Sequence, residues 1–273
     1  MEVFQIEGHS SLAIDIDLSL CDDVKSPLVI FCHGFKGFKD WGPFNYVASE
    51  FCNNGISFLK FNFSHNGVSS DDLLNFSDLE IFGQNNFTKE LYDLDKVIDW
   101  AISKFGAQFD TNKIYLLGHS RGGGISLLHG SNDSRIKKIV SWASVCDYKS
   151  RFDIDKIDLW KERGVVYVFN SRTNQQMPLY YQFYLDFINN EDKLSISDAV
   201  LKLNIPCLVV HGDQDTTVKM EEGLKLHDWI SNSEFLKIKN SDHVFNSKHP
   251  FDGQNPSVQL LQALNNSILF FKK

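Results

Sequence analysis

Apolar residues follow two rhythms along this chain. Residues 28–32 are a short continuous apolar run that suits a strand buried on both faces of a parallel sheet, 113–117 is an apolar run, 56–63 reads as a strand, and 136–143 and 205–210 read as two more buried strands. Residues 234–238 form a shorter strand of the same kind. Between these runs the spacing turns helical. Over residues 87–105 the apolar positions Leu91, Leu94, Val97, Ile98, Ala101 and Ile102 share one face. Residues 43–53, closed by Asn54-Gly55, and residues 256–271 read as further helices. At the start, residues 3–7 and 11–20 are two paired strands around a Gly8-His9-Ser10 turn. Apolar and acidic residues alternate late in Leu12-Ala13-Ile14-Asp15-Ile16-Asp17-Leu18, which predicts an edge strand with one wet face. Strands alternating with helices predict an α/β fold, a mostly parallel, doubly wound sheet of about eight strands.

One stretch breaks the alternation. Residues 149–199 hold no clear buried strand–helix unit, yet are rich in aromatics such as Phe152, Trp160, Tyr167, Tyr180 and Phe183. A bare loop of about fifty residues is improbable. The stretch is therefore expected to form a small inserted cap within a single domain covering residues 1–273. Most aromatics of Met177-Pro178-Leu179-Tyr180-Tyr181-Gln182-Phe183-Tyr184 are expected to pack the cap itself, leaving a minority to line an acyl or aryl pocket.

Composition narrows the class. The 273 residues are 42% hydrophobic, enough for a sizeable core and unlike a disordered chain. No apolar run reaches the roughly 18 residues of a membrane span. The first residues lack a basic region followed by an apolar stretch, so no secretory signal is expected. A formal charge of −8 argues against nucleic acid, which needs clustered Lys and Arg. Cys21, Cys32, Cys52, Cys146 and Cys207 are odd in number and widely spaced, and are expected as buried, reduced thiols of a cytoplasmic protein. No metal-binding histidine spacing occurs, and neither a metal nor a cofactor is expected. The oligomeric state is left open.

Chemistry enters at Gly118-His119-Ser120-Arg121-Gly122, between the 113–117 run and Gly123-Gly124-Ile125-Ser126-Leu127-Leu128. A serine at a strand-to-helix corner, with glycine two positions to either side, is a nucleophile elbow. The small residues relieve crowding, and the strained turn lifts the hydroxyl above the sheet edge. Such a pentapeptide arises by chance in roughly one chain in ten of this length, so its weight rests on its partners. After the 205–210 strand comes His211-Gly212-Asp213-Gln214-Asp215-Thr216-Thr217-Val218, and after the 234–238 strand comes Ser241-Asp242-His243. Ser120, Asp215 and His243 thus follow in the order serine, acid, histidine, each beyond a strand. Asp213 is the competing acid, expected instead to cap its loop through its own backbone. The histidine activates the hydroxyl and the acid orients the histidine. Of two N–H donors needed for the oxyanion, Arg121 supplies one and the His33-Gly34-Phe35-Lys36-Gly37 loop the other. His33 is expected to brace that loop, His119 to point into the sheet or the loop behind it, and His249 is a weak rival for the base.

Over nearly its whole length the chain resembles the α/β-hydrolase superfamily, and within it small bacterial carboxylesterases of the cinnamoyl/feruloyl esterase type and dienelactone-hydrolase-like proteins. The matching motifs are His33 to Gly37, Gly118 to Gly122, His211 to Val218, and Asp242-His243. The acid loop departs only in carrying Thr217 where a proline often lies beside the valine. The resemblance implies Asp215 as the acid, the N–H groups of Phe35 and Arg121 as the oxyanion hole, and a short cap after the sixth strand. The activity it implies is hydrolysis of small to medium carboxylic esters. A peptidase or thioesterase with the same triad, or a noncatalytic ligand-binding member of the fold, are the alternative expectations.

Overall fold

The computed structural model describes residues 1–273 apart from Val24, Ser70 and Leu73. In chain order the strands are β1 (Glu2–Glu7), β2 (Ala13–Ser19), β3 (Leu28–Cys32), β4 (Ser57–Phe61), β5 (Ile114–His119), β6 (Ile136–Trp142), β7 (Val165–Asn170), β8 (Gln175–Tyr180), β9 (Cys207–Gly212) and β10 (Ser233–Ile238). The helices are α1 (Phe44–Asn53), α2 (Leu79–Gly83), α3 (Phe87–Phe105), α4 (Arg121–Gly130), α5 (Ile157–Arg163), α6 (Gln182–Asn189), α7 (Glu191–Leu194), α8 (Ile196–Val200), α9 (Met220–Trp229) and α10 (Val258–Lys272).

Eight strands form one sheet in the order β1-β2-β4-β3-β5-β6-β9-β10. β2 runs antiparallel to β1 and β4, and the remaining pairs are parallel. The continuous apolar runs are explained by the period of two in a strand. Leu28, Ile30 and Cys32 of β3 enter one core, packed with α3 and α4, while Val29 and Phe31 enter the other, packed with α1 and α10. β5 divides likewise, Ile114 and Leu116 against Tyr115 and Leu117. In α3 the side chains of Leu94, Val97, Ile98 and Ala101 are buried, and the Asn86 side chain caps the helix by accepting the Lys89 N–H.

The β2 expectation needs correction. β1 is the edge strand and β2 lies inside it, between β1 and β4. Asp17 is buried rather than wet, because Lys60 stands opposite it on β4 and Lys39 reaches it at 2.8 Å. Asp40 joins both lysines, so the acid on this face meets a buried charge network instead of solvent. An alternating pattern records which residues share a face, but not whether a polar face finds partners inside.

Between β6 and β9 the chain leaves the sheet for residues 149–199. It forms short 3-10 turns, α5, an antiparallel β7–β8 hairpin and then α6 to α8. Trp160, Phe183 and Phe187 are buried there, and the Trp160 indole N–H donates to the Leu179 carbonyl at 2.8 Å. Tyr167 and Phe169 on the hairpin are exposed. Cys32, Cys146 and Cys207 are buried thiols, whereas Cys21 and Cys52 are only half-buried. Among the described residues no helix is long and apolar enough to cross a membrane.

Candidate active site

The corner between β5 and α4 is tight enough to dictate its sequence. Ser120 sits at φ 56° and ψ −119°, a strained conformation for a residue with a side chain. A Cβ at Gly122 would lie 2.2 Å from the Cys32 carbonyl oxygen, and one at Gly118 would lie 2.3 Å from the Gly122 carbonyl oxygen. Only glycine lets strand, turn and helix approach this closely.

Two neighbouring loops bring their side chains to the same edge. His243 Nε2 lies 3.0 Å from Ser120 Oγ, and its Nδ1 lies 2.7 Å from Asp215 Oδ2. The His243 turn is stitched by Asp242, whose carboxylate accepts the N–H groups of Val244 and Asn246 at 3.0 and 2.6 Å. Asp215 Oδ1 accepts the N–H groups of Thr217 and Val218 at 2.8 and 2.9 Å. Burial alone would raise this carboxyl, but hydrogen bonds from His211 and His243, the His243 charge and the Val218 N–H more than offset it, holding Asp215 well below the usual carboxylate range. An ionised acid at Nδ1 keeps that nitrogen protonated and leaves Nε2 free to accept the serine proton.

The loop after β3 approaches from the other side. A Cβ at Gly34 would meet Ser120 Cβ at 2.9 Å, so this glycine is what allows the loop to crowd the serine. Gly37 N–H closes a turn onto the Gly34 carbonyl at 3.0 Å, with Lys36 at φ 55°. Among the described residues, the N–H groups of Phe35 and Arg121 have no hydrogen-bond acceptor. Buried His33 braces the loop, its Nδ1–H donating to the Gly34 carbonyl at 3.0 Å and its Nε2 facing the Phe63 N–H at 3.4 Å. Burial pushes its imidazole down to about 4, which keeps it neutral in this role.

Other titratable residues of the motifs have supporting positions. Of the two directions expected for His119, sheet or loop, its Nε2–H takes a loop, donating to the His243 carbonyl at 2.9 Å. Burial, and then the neighbouring His243, push it down to about 3. Asp213 does not cap its own loop; it accepts the Asn240 N–H at 2.7 Å and ties the loop to β10. His249 Nδ1 accepts the Gly42 N–H at 2.8 Å and its ring stacks on Trp41. Sequence reasoning assigned no task to His211, whose Nε2–H donates to the Val218 carbonyl at 2.8 Å while lying 3.4 Å from Asp215 Oδ2. It also passed over Tyr148, which donates to the Arg121 carbonyl at 3.0 Å and stacks on Phe87. His211 heads the acid-loop motif, which could have marked it, whereas Tyr148 stands outside every motif.

A cleft of about 1010 Å³ opens above Ser120, walled by Phe35, Phe87, Trp160, Leu179 and Phe183. The Arg121 side chain is sandwiched in that wall, its guanidinium 4.1 Å from the Phe35 ring centre and 5.0 Å from that of Phe183, and it faces buried Glu90 at 3.4 Å. Far from the cleft, Asp95, His129 and Asp133 converge closely enough to suggest a cation site. The Arg135 guanidinium already occupies that role, paired with Asp95, Asp99 and Asp133.

The sheet order and the serine corner at its centre are those of an α/β-hydrolase. Residues 75–230, more than half of the chain, match the model of the BD-FAE family, and the chain belongs to that family. Over 125 residues it is 29% identical to an uncharacterized 31.7 kDa protein in the traX-finO intergenic region of Escherichia coli, a match that covers 46% of this chain and 40% of the relative's length. Among solved structures, Est1E from Butyrivibrio proteoclasticus with ferulic acid bound is 20% identical, with 98% of each chain covered and a TM-score of 0.69. A putative hydrolase from Agrobacterium vitis S4 is 15% identical, with 99% of this chain and 98% of that one covered and a TM-score of 0.75. The esterase domain of a Rhodothermus marinus protein is also 15% identical, at the same coverage and a TM-score of 0.66. At these identities the likeness is one of fold.

Proposed function

We propose that the protein is a serine esterase that cleaves small to medium carboxylic esters through an acyl-Ser120 intermediate. The observation that carries this reading is the relay from Ser120 Oγ to His243 at 3.0 Å and on to Asp215 at 2.7 Å, set on the elbow beneath an apolar cleft. His243 Nε2 takes the hydroxyl proton as Oγ bonds to the ester carbonyl carbon. Negative charge moves to the carbonyl oxygen, which the N–H groups of Phe35 and Arg121 stabilise; one such donor is worth on the order of 3 kcal/mol. As the tetrahedral centre collapses, the C–O bond to the alcohol breaks and His243 gives that alcohol its proton. Water then repeats the sequence against the acyl-serine, with His243 first accepting and then returning a proton to Oγ.

The segment 149–199 acts as the cap that selects the acyl and alcohol groups. Its aromatic wall, and the ferulic acid held by Est1E, support acyl groups with an aryl or short alkyl body. Initial rates on para-nitrophenyl esters, acyl-CoA thioesters and aminoacyl anilides test the reading. Ester turnover by the wild type that disappears in Ser120→Ala is the expected result. Higher kcat/KM on the thioester or anilide would reassign the leaving group, and no turnover on any of the three would overturn the reading.

A further inference from the structure

The cleft does not share the charge balance of the whole chain. The protein carries a formal −8, yet Lys36, Arg121, Arg151, Lys156, Arg172 and Lys248 line the cleft against only Asp153 and Asp242. Three of these cations are already matched: Arg121 by Glu90, Arg151 by Glu222 and Lys156 by Asp153. Asp242 is engaged by the backbone of its own turn. Among the described residues Lys36, Arg172 and Lys248 have no carboxylate partner, and the first two are held side by side. Arg172, on the turn of the β7–β8 hairpin, donates to the Lys36 carbonyl at 2.9 Å, with its guanidinium 5.2 Å from the Trp41 ring centre. Lys36 Nζ in turn donates to the Phe169 carbonyl at 3.3 Å. Arg172 also borders the small chamber shared by Ser120, His243 and Trp41, so its charge stands beside the reacting groups.

We propose that Arg172 and Lys36 form a carboxylate-binding subsite, and that the protein prefers esters bearing a carboxylate near the scissile bond. This rests on the esterase reading above and names its substrate class. Two like charges fastened together by neighbouring carbonyls repel one another, and an anion between them relieves that repulsion. The Lys36 ammonium is held below its ordinary value, by burial first and then by the Arg172 charge, as expected for a cation awaiting a counter-ion. A guanidinium over an indole face, with one Nη tied to the Lys36 carbonyl, keeps its other N–H donors for the oxygens of a carboxylate. Because Lys36 follows the proposed oxyanion donor Phe35, a carboxylate anchored here would also fix the ester against the oxyanion loop.

Two matched pairs test the subsite, with hydrolysis followed by proton release. Monomethyl adipate against methyl hexanoate places the charge on the acyl side; para-(acetoxymethyl)benzoate against para-methylbenzyl acetate places it on the alcohol side. The wild type should favour the charged member of at least one pair by about tenfold or more in kcat/KM, mainly through KM. That ratio should fall towards one in Arg172→Gln and in Lys36→Met, both checked for native circular dichroism, and Arg172→Lys should recover part of it. A wild-type ratio at or below one in both pairs, or a ratio that survives both substitutions, would overturn the subsite. If neutral esters are hydrolysed without a charge preference, only the subsite falls. If no ester is hydrolysed, the esterase reading falls, and calorimetry of benzoate on Ser120→Ala with and without Arg172→Gln still decides the subsite. Equal affinity in the two proteins would contradict it, and loss of binding with Arg172→Gln would support it.

Discussion

The floor and the roof of the cleft are built by different physics. The floor is chiefly backbone: β3, β5 and β9 are buried along their whole length, and the turns at their ends are closed by glycines, main-chain hydrogen bonds and short side-chain braces onto the backbone from His33, Asp213 and Asp215. The roof, residues 149–199, is side chain: Trp160, Phe183 and Phe187 pack on Phe152 and Phe87, and its hairpin leaves Tyr167 and Phe169 in solvent. A rigid floor fixes reacting atoms to within tenths of an ångström, whereas a roof of adaptable contacts can change without disturbing them. On this account chemistry belongs to the floor and selectivity to the roof.

The largest effect separates the two at once. Ser120→Ala should lower ester turnover by roughly ten-thousand-fold or more while leaving the fold and the melting temperature near wild type, as rates and calorimetry would show. Gly122→Ala should act on the floor through the fold. Its Cβ would stand 2.2 Å from the Cys32 carbonyl oxygen, a contact with backbone on both sides, and about 4 kcal/mol of stability should be lost in chemical denaturation. Trp160→Ala should test the roof. It removes a buried indole and its bond to Leu179, costing about 3 kcal/mol, and should raise KM for aryl esters far more than it lowers reactivity towards a small serine-directed inhibitor. Equal losses in both readouts would erase the division of labour.

The same contrast explains what was legible in the sequence. The elbow and the β9 loop with Asp215 could be read because close approach requires glycine and a buried strand favours an apolar run; β10, expected to be buried, is instead a half-exposed edge strand carrying Glu234 and Lys237, and the His243 loop after it was marked by the serine–acid–histidine order. The resemblance then chose between Asp213 and Asp215, and the structure adds why Asp213 is elsewhere, holding Asn240. The roof had no such grammar. β7 is an apolar run, Val165 to Phe169, but it lies half-exposed in a two-stranded hairpin outside the main sheet, and β8 opposite it is polar at its start and carries Pro178, so their aromatic content showed without their pairing. Arg172 sits in a turn, and nothing in its neighbours points to Trp41 or Lys36, more than a hundred residues away. Asp17 misled for the same reason: Lys39, one of its partners, comes from a loop that the strand pattern cannot see.

Two smaller effects refine the account of the floor. His119→Gln should lower kcat by about tenfold with little change in KM, because His119 positions the His243 backbone without touching substrate. A comparable rise in KM would place it in the substrate site instead. Stability should also depend on pH through the two buried histidines. His33 and His119 are depressed to about 4 and about 3 in the folded protein, against roughly 6.5 when unfolded. Their contribution is therefore complete above pH of about 6.5 and drains away as pH falls towards the folded values, at about 1.4 kcal/mol per pH unit for each histidine. Denaturation midpoints across that window should steepen accordingly, and His119→Gln should remove its share of the slope.

The central claim is that Ser120 is the nucleophile activated by His243. Incubation with a fluorophosphonate, followed by peptide mass spectrometry, tests it most directly. The account predicts a single phosphonyl adduct on the peptide containing Ser120, lost in Ser120→Ala and strongly slowed in His243→Ala. Labelling that persists in Ser120→Ala, or an adduct on another residue, would contradict it.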